Sequence, residues 1–235
     1  MTEIIAHRGA SRAARENTVE AFHLAGVLGA GWIELDVRRS ADDTMVVHHD
    51  PVLADGRPIL TLVRRELPDH VPTLDVALDA CRPLRVNIEI KNEEGEADFD
   101  PGRALAAPVV ALVRARHETA DVLLSSFDRP MLDRCRELAP EIATAFLTSN
   151  VPGPPERRAL FDALVADGHL ALHPWWGLVD ESVVADAHAA GLIVNVWTCD
   201  DPAAMARLAG WGVDGICTNV PDLALAALAS ARLPE

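Results

Sequence analysis

The feature that most constrains the fold of this chain is the repeated alternation of short apolar runs with helix-like segments. The runs are too short for helices, and several are rich in Val and Ile, as buried parallel strands are. They span Glu3–His7, Trp32–Val37, Met45–His48, Arg85–Lys91, Val122–Ser126, Ala143–Leu147, Leu170–His173, Leu192–Thr198 and Val213–Thr218. Each run is followed by signals typical of a loop or a helix start.

Helix signals fill the intervals between the strand-like runs. Asn17 followed by Glu20 resembles a capping box, which predicts that the first helix begins there. Glycines at 29 and 31 predict the end of that helix. Further helix starts are predicted at Pro130, at Asp201-Pro202 and at Pro221.

Eight strand–helix units predict a closed (β/α)8 TIM barrel in an α/β fold. Met45–His48 is set aside because it follows the second strand through a turn at Asp42-Asp43. An open doubly wound sheet is the alternative, but no glycine-rich dinucleotide loop follows the first strand. Pro51–Pro72 interrupts the alternation and predicts a short insertion after the second barrel strand. The length suits a single barrel domain over residues 1–235.

The charge balance narrows the class of partner. The chain has 21 basic and 36 acidic side chains, giving a net charge of −15, a field that repels nucleic acid and anionic membrane surfaces. We therefore expect a small-molecule partner and no stable membrane association, while the oligomeric state stays open. Without a C-x-x-C pair, the cysteines are predicted to be reduced and buried, as in a cytoplasmic protein. They are Cys81, Cys135, Cys199 and Cys217. No signal peptide or transmembrane helix is predicted.

Three carboxylates are predicted to lie at the carboxyl ends of two barrel strands. Glu34 and Asp36 are two residues apart on one strand, so both side chains point the same way. Glu89 and Lys91 repeat that spacing on the next barrel strand. Barrel active sites form at this end of the strands. Three carboxylates suit a hard divalent cation such as Mg²⁺ or Ca²⁺.

Two histidines and two cations complete the predicted site. His7 and Arg8 follow the first strand, and His49 precedes Asp50 after the third run. The ordinary histidine pKa near ~6.5 suits one base and one acid at neutral pH. Three carboxylates, a divalent cation, Arg8 and Lys91 sum to about +1, which a phosphodiester anion would neutralise. The residues thus favour metal-assisted cleavage of a phosphate ester.

Motifs along almost the whole chain resemble the glycerophosphodiester phosphodiesterase family. They include IIAHRGAS, ENTVEAF, GAGWIELDV, VVHHDPVL, NIEIK, LLSSFD, AHAAGLIVNVWT and WGVDGICTNVPDL. The resemblance implies a TIM barrel that hydrolyses glycerophosphodiesters to glycerol 3-phosphate and an alcohol, with Mg²⁺ or Ca²⁺. Pro51–Pro72 is shorter than the family's usual insertion, which leaves the substrate open.

The resemblance also assigns roles to individual residues. It implies that His7 and His49 are the acid/base pair, without saying which is which. Arg8 and Lys91 would hold the phosphate. The metal ligands would be Glu34, Asp36 and Glu89, with Glu16 and Asn17 as supporting residues. Trp197 is a supporting residue for a different reason: its place at the end of a strand predicts that it walls the pocket, with a core role as the alternative. For Asn17 a helix-cap role competes with support of the site.

Other activities remain open at this stage. A phospholipase D-like cleavage of lysophospholipids or related lipid phosphodiesters would need an apolar surface at the site, for which Trp175, Trp176 and Leu178 are available. A phosphatase of monoesters would release phosphate from glycerol 3-phosphate. A phosphate-ester binding protein would not need two proton-transfer groups.

Overall fold

The strand-like runs form a closed parallel barrel in the computed structural model, which describes residues 2–230. Its eight strands pair in the order β1, β2, β4, β5, β6, β7, β8, β9, and β9 closes onto β1. They are β1 (Glu3–His7), β2 (Trp32–Arg39), β4 (Arg85–Ile90), β5 (Val122–Ser126), β6 (Ala143–Thr148), β7 (Ala171–Pro174), β8 (Ile193–Val196) and β9 (Gly215–Thr218). The strand β3 (Met45–Val47) lies outside the barrel, antiparallel to β2. The predicted TIM barrel is confirmed, including the exclusion of the third run.

Helices follow the barrel strands and cover the outside. They are α1 (Val19–Val27), α2 (Leu74–Cys81), α3 (Ala106–Ala115), α4 (Arg129–Leu138), α5 (Glu156–Ala166), α6 (Glu181–Ala190), α7 (Pro202–Gly210) and α8 (Pro221–Ser230). None of the helices in residues 2–230 is long and apolar enough to cross a lipid bilayer.

Alternation along β2 separates the core from the site. Ile33, Leu35 and Val37 are fully buried in the cluster that also contains apolar residues of α1, α2 and β4. Burial of each such side chain contributes about 1.5–3 kcal/mol. The intervening residues, Glu34 and Asp36, must point to the opposite face, into the barrel. The same strand therefore builds the core and supplies the polar interior.

The start of α1 differs from the sequence prediction. Thr18, not Asn17, is the N-cap residue, and its hydroxyl accepts a hydrogen bond from the Ala21 backbone N–H. Asn17 instead has a left-handed backbone, with φ of 56°, a conformation that asparagine tolerates better than most residues. Its amide Nδ2 donates to Asp36 Oδ2 at 2.7 Å. The predicted capping box at Asn17 is therefore wrong, and Asn17 contacts the polar interior.

Other predicted helix boundaries hold to within a residue. Asp201 caps α7 by accepting from the Ala203 N–H at 2.9 Å, and Pro221 is the first residue of α8. Pro130 lies in the first turn of α4, which begins one residue earlier. The start signals thus located these helices well.

The segment 51–72 has a small apolar core of its own. It contains two short 3₁₀ turns, Ile59–Thr61 and Arg64–Glu66. Leu53, Ile59, Leu67 and Val71 are buried together with Val46 of β3. The segment is consequently packed against β3, beside the position at which His49 follows that strand.

Candidate active site

Adjacent strands β2 and β4 bring the three predicted carboxylates together. Asp36 is the register partner of Glu89. Glu34, Asp36 and Glu89 each offer an oxygen, and these oxygens all lie within 4.8 Å of one another. All three side chains are largely shielded from solvent. Two inward positions on one strand and one on its neighbour thus form a compact acidic cluster.

The electrostatics of this cluster are those of carboxylates held close together in a buried place. Burial, followed by the charges of Asp36 and Glu89, raises the pKa of Glu34 well above its usual range. Burial and Asp36 raise the pKa of Glu89 to about 7. Burial also opposes ionisation of Asp36, but the Arg8 guanidinium, other nearby positive charges and the Asn17 hydrogen bond together outweigh it and lower that pKa. Such mutual repulsion is what a bound divalent cation relieves.

The donor atoms fit a hard divalent cation. Glu34 Oε1 and Asp36 Oδ1 are buried, and neither has a hydrogen-bond partner in the described residues. Buried carboxylate oxygens without a partner are costly. Oxygen ligands of this kind are those that Mg²⁺ and Ca²⁺ take. The three carboxylates therefore fit a divalent cation.

A tight turn after β1 positions Arg8 over the cluster. The Arg8 backbone N–H donates to Glu34 Oε2 at 2.8 Å, and its Nε lies 3.2 Å from Asp36 Oδ2. The guanidinium also donates to Glu16 at 3.0 Å. Gly9 has φ of 81°, and a Cβ there would lie 2.6 Å from the carbonyl carbon of Ala21. Only glycine allows this turn to lie so close to α1.

Lys91 lies beside the cluster on the other side. Its Nζ donates to Glu89 Oε1 at 2.8 Å and to Glu93 Oε1 at 2.7 Å. Burial opposes its charge, but Glu89 and Asp36 outweigh that effect and raise the pKa of Lys91. Lys91 is therefore a fixed cation, 3.5 Å from His49 Nε2.

His7 lies at the end of β1 with one ring nitrogen engaged. Its Nδ1 is 2.7 Å from Asn219 Oδ1. Burial, followed by the charge of Arg8, lowers the pKa of His7. The imidazole is therefore neutral at pH 7, and Nε2 is left available for proton exchange.

His49 reaches the site from outside the barrel, on the segment after β3. Its Nδ1 is 2.7 Å from Asp50 Oδ1. Its backbone carbonyl accepts a hydrogen bond from Arg38 Nε at 2.6 Å. Arg38 is fully buried and pairs with both Asp98, at 2.7 Å, and Glu96, at 3.0 Å. The Arg38 side chain thus joins the His49 segment to the loop after β4.

Aromatic side chains flank the site near β7 and β8. Trp197 Nε1 donates to the His173 carbonyl at 2.7 Å, and its ring meets Phe127 edge-on at a centroid distance of 5.3 Å. A cavity of about 30 Å³ is lined by residues that include Trp197, His7 and Glu89. Trp197 therefore lines this small cavity beside His7 and Glu89, while its supporting role stays a prediction.

A larger cavity lies on the His49 side. It has a volume of about 380 Å³ and is lined by residues that include Arg15, Glu16, Asn17, His49 and His70. Its walls come from the loop before α1 and from the segment after β3. This cavity offers room for a substituent beside the acidic cluster.

A second group of metal-ligand types lies elsewhere and is already compensated. Asp133, Asp167 and His169 offer atoms within 4.8 Å of one another. Arg129 forms an ion pair with Asp167, and the two ring nitrogens of His169 contact Asp133 and Thr144. The group therefore lacks the unpartnered oxygens of the first cluster.

The structure brings every predicted site residue to one end of the barrel, although their roles stay predictions. The sequence reasoning missed Arg38, Asp200 and Asn219. A signal existed for Asn219, since it directly follows the last barrel strand, where polar residues reach the site. Arg38 continues the alternation of Glu34 and Asp36 by two residues, which also could have identified it.

Comparisons with known proteins agree with this geometry. Uncharacterized protein YqiK of Bacillus subtilis (strain 168) is 32% identical, over 97% of this chain and 99% of that protein. A glycerophosphodiester phosphodiesterase of Caldanaerobacter subterraneus subsp. tengcongensis is 28% identical, over 94% of this chain and 95% of the relative. An Oleispira antarctica phosphodiesterase, solved in complex with the product sn-glycerol-3-phosphate, is 29% identical with a TM-score of 0.85, over 97% of each chain.

The family model for the glycerophosphoryl diester phosphodiesterase family matches residues 7–223, which include both predicted histidines and all three carboxylates. The chain therefore belongs to the glycerophosphoryl diester phosphodiesterase family and is a phosphodiester hydrolase built on a (β/α)8 barrel.

Proposed function

We propose that this chain hydrolyses glycerophosphodiesters to glycerol 3-phosphate and an alcohol, using a divalent cation held by Glu34, Asp36 and Glu89. The observation that carries the proposal is the buried carboxylate cluster, two of whose oxygens have no hydrogen-bond partner. Mg²⁺ and Ca²⁺ are the cations that such ligands suit. We further propose that residues 1–235 form one catalytic domain, since the strands that build the site extend from Glu3 to Thr218.

The substrate phosphate would lie between the carboxylate cluster and the two cations. When bound, the cation would polarise a phosphoryl oxygen and stabilise the negative charge that develops there. Lys91 would contact a second oxygen, since its charge is fixed beside Glu89. Arg8 would exchange part of its pairing with Glu16 for the phosphate, because that contact lies at the partly exposed edge.

Proton transfer would be divided between the two histidines. His7 would be the base, because its neutral ring has Nε2 free to take the proton of the attacking hydroxyl. The attacking group is water, which gives glycerol 3-phosphate directly, or the glycerol hydroxyl next to the phosphoester, which gives a cyclic phosphate that a water must then open by a second displacement at phosphorus. His49 would be the acid, because it lines the larger cavity, where the alcohol part would lie, and Asp50 orients its ring through Nδ1. As the new P–O bond forms, the ester P–O bond breaks and His49 protonates the departing alcohol oxygen.

The cavity of about 380 Å³ would hold the alcohol part of the substrate. It adjoins His49, the proposed acid, and the segment 51–72 supplies part of its wall. Glycerophosphodiesters from deacylated phospholipids, handled in the cytoplasm, are therefore the proposed substrates. The four free, buried cysteines support the proposed compartment, since disulfides are rare in the cytoplasm.

A lysophospholipid is the second substrate class, and one observation favours it. Trp175, at the end of β7, is 42% exposed and packs against Trp176 with ring centroids 6.1 Å apart. Exposed indoles suit an apolar chain or a membrane surface. Turnover of lysophosphatidylcholine together with vesicle binding would support this class over the first.

The test is release of glycerol 3-phosphate from glycerophosphocholine, glycerophosphoethanolamine and glycerophosphoglycerol, with Mg²⁺, Ca²⁺ or EDTA. We expect release that EDTA abolishes and that His7→Ala or His49→Ala reduces by at least about 100-fold. His23→Ala is the matched control, since His23 is exposed on α1. No release from any of the three esters with either metal would contradict the proposal.

A further inference from the structure

We propose that Asn219 and Asp200 are positioning residues that fix the tautomer and orientation of the His7 ring through a His7–Asn219–Asp200 relay. This inference rests on the catalytic role proposed above for His7. Neither Asn219 nor Asp200 belongs to the predicted set of metal ligands, proton-transfer groups or phosphate-binding residues. The relay lies at the end of the barrel where β8, β9 and β1 are neighbours.

The side chains of His7, Asn219 and Asp200 form a continuous series of hydrogen bonds. His7 Nδ1 lies 2.7 Å from Asn219 Oδ1. Asn219 Nδ2 donates to Asp200 Oδ2 at 2.7 Å, and the Asn219 backbone N–H donates to Asp200 Oδ1 at 2.8 Å. Asn219 directly follows β9, and Asp200 lies between β8 and α7.

The relay determines which way the Asn219 amide faces. An ionised carboxylate only accepts hydrogen bonds, so the atom of Asn219 that meets Asp200 Oδ2 must be the NH₂ group. Ser11 Oγ donates to the opposite atom, Oδ1, at 2.7 Å. The Asp200 contact therefore requires the amide oxygen to face His7, and the Ser11 hydroxyl, which can donate or accept, is compatible with that orientation.

The state of the His7 ring follows from that orientation. Because Asn219 presents an acceptor, His7 must carry its hydrogen on Nδ1, and Nε2 keeps the lone pair. A general base needs this nitrogen free and correctly aimed. Reversal of the amide would place an NH₂ group against Nδ1 and would favour the unproductive tautomer.

Asp200 is itself held firmly. Burial opposes its charge, but hydrogen bonds from Asn219 and Thr218 outweigh that effect and lower the pKa of Asp200. Thr218 Oγ1 donates to Asp200 Oδ1 at 2.8 Å. The carboxylate is thus ionised at neutral pH, and its hydrogen-bond donors among the described residues come from the end of β9.

The two proposed proton-transfer groups consequently have different partners. His49 contacts a carboxylate, Asp50, directly. His7 contacts a neutral amide and is separated from its carboxylate by that amide. Both contacts orient a ring through Nδ1, but in the described part of the chain only His7 is oriented by a group that is itself fixed by a second side chain, Asp200.

The test compares Asn219→Leu, which keeps the side-chain size but removes both polar atoms, with Asp200→Asn. Asp201→Asn is the matched control, because its carboxylate caps α7 and does not contact Asn219. Turnover of glycerophosphocholine, thermal midpoint and the long-range ¹H–¹⁵N correlation spectrum of the histidine rings are measured for each protein. The spectrum distinguishes the two tautomers of His7 directly.

We expect Asn219→Leu to lower kcat by about 10–100-fold, the usual effect of removing a group that orients an active-site histidine. KM should change by less than about twofold, since neither residue contacts the proposed phosphate position. The His7 signals of the native protein should report hydrogen on Nδ1, and Asn219→Leu should give a mixture of tautomers. Asp200→Asn should also lower kcat and give a mixture of His7 tautomers. Asp201→Asn should change neither kcat nor the tautomer.

Two results would overturn the relay. One is a native spectrum with the hydrogen of His7 on Nε2; the other is unchanged kcat and tautomer in both relay variants. If Asn219→Leu does not fold, the native spectrum and Asp200→Asn still decide. If the native protein turns over no glycerophosphodiester, the proposed function fails, while the spectra still decide whether the relay exists.

Discussion

Replacement of Arg38 by methionine is expected to lower stability and activity by two separable mechanisms. The Arg38 side chain is fully buried and holds Glu96 and Asp98 as well as the His49 carbonyl. Methionine has a similar length and fills much of the same space without the charge. The variant therefore removes the ion pairs while keeping most of the packing.

The expected stability loss follows from the two carboxylates that would lose their cation. Breaking a buried pair by removal of one partner costs about 3–5 kcal/mol. Side chains of Asp98 and Glu96 are 10% and 24% exposed, so water recovers part of that cost. We therefore expect a loss of about 3 kcal/mol, near the lower end of that range. For a domain of this size this lowers Tm by about 6–12 °C.

The activity loss has a different origin. Without Arg38 Nε, the His49 backbone loses its anchor to β2. A misplacement of about 1 Å at a reacting group can cost about 100-fold in rate. We expect kcat for glycerophosphocholine to fall by about 10–100-fold, measured under conditions where the variant is still folded.

A triple variant separates the two effects. Arg38→Met combined with Glu96→Gln and Asp98→Asn removes the unpaired charges, so most of the stability should return while kcat stays low. Arg39→Met is the control: its only ion pair within residues 2–230, with the exposed Asp43, is worth at most about 1 kcal/mol. Recovery of kcat in the triple variant would refute the anchoring role, and an unchanged Tm in Arg38→Met would refute the buried ion pairs.

Three further outcomes are expected. Mg²⁺ or Ca²⁺ at about one hundred times its dissociation constant should stabilise the protein by about 2.7 kcal/mol, or about 5–11 °C in calorimetry. Glu34→Gln should lose most of this increment, and an equal increment in both proteins would contradict the assigned ligands. Burial lowers the pKa of His173 from 6.5 to about 3. Below pH 6.5 the unfolded chain therefore binds a proton at His173, whereas the folded protein does not. Stability should thus fall with pH from 6.5 downward, by about 2 kcal/mol at pH 5. Chemical denaturation at pH 7 and pH 5 should show that His173→Gln lacks this decrease, and an identical decrease would refute the assignment. Thr18→Ala should cost about 1 kcal/mol of stability as the cap of α1 is lost. Asn17→Ala should mainly lower kcat, because it removes the hydrogen bond to Asp36; a larger stability loss in Asn17→Ala than in Thr18→Ala would reverse the two roles.

The sequence predicted correctly those features whose geometry depends on the spacing of nearby residues. Glu34 and Asp36 share a face because they are two residues apart on a strand, and β2 lies next to β4, so Glu89 joins them. The strand pattern likewise predicted the barrel, since each run is long enough for one strand only. For these features the spacing of residues within one strand is enough to determine which way the side chains point.

The features that escaped prediction depend on distant or competing contacts. Arg38 is a charged residue near the end of a strand, where sequence alone suggests an exposed side chain. Its partners Glu96 and Asp98 lie in a loop that has no hydrophobic periodicity. Asn17 and Thr18 are both good cap residues, and the choice between them is made by Asp36, which lies elsewhere in the chain. Local propensity cannot rank such alternatives, because a tertiary contact decides between them.

The pairing of β1 with β9 has a consequence for how the enzyme is made. His7 and Asn219 are 212 positions apart, and they meet across the seam where the first strand of the barrel joins the last. During synthesis the ribosome would release His7 early and Asn219 near the end, so a nascent or truncated chain lacks the oriented imidazole. Activity would therefore appear only after barrel closure, which makes the first product molecules a direct report of completed folding.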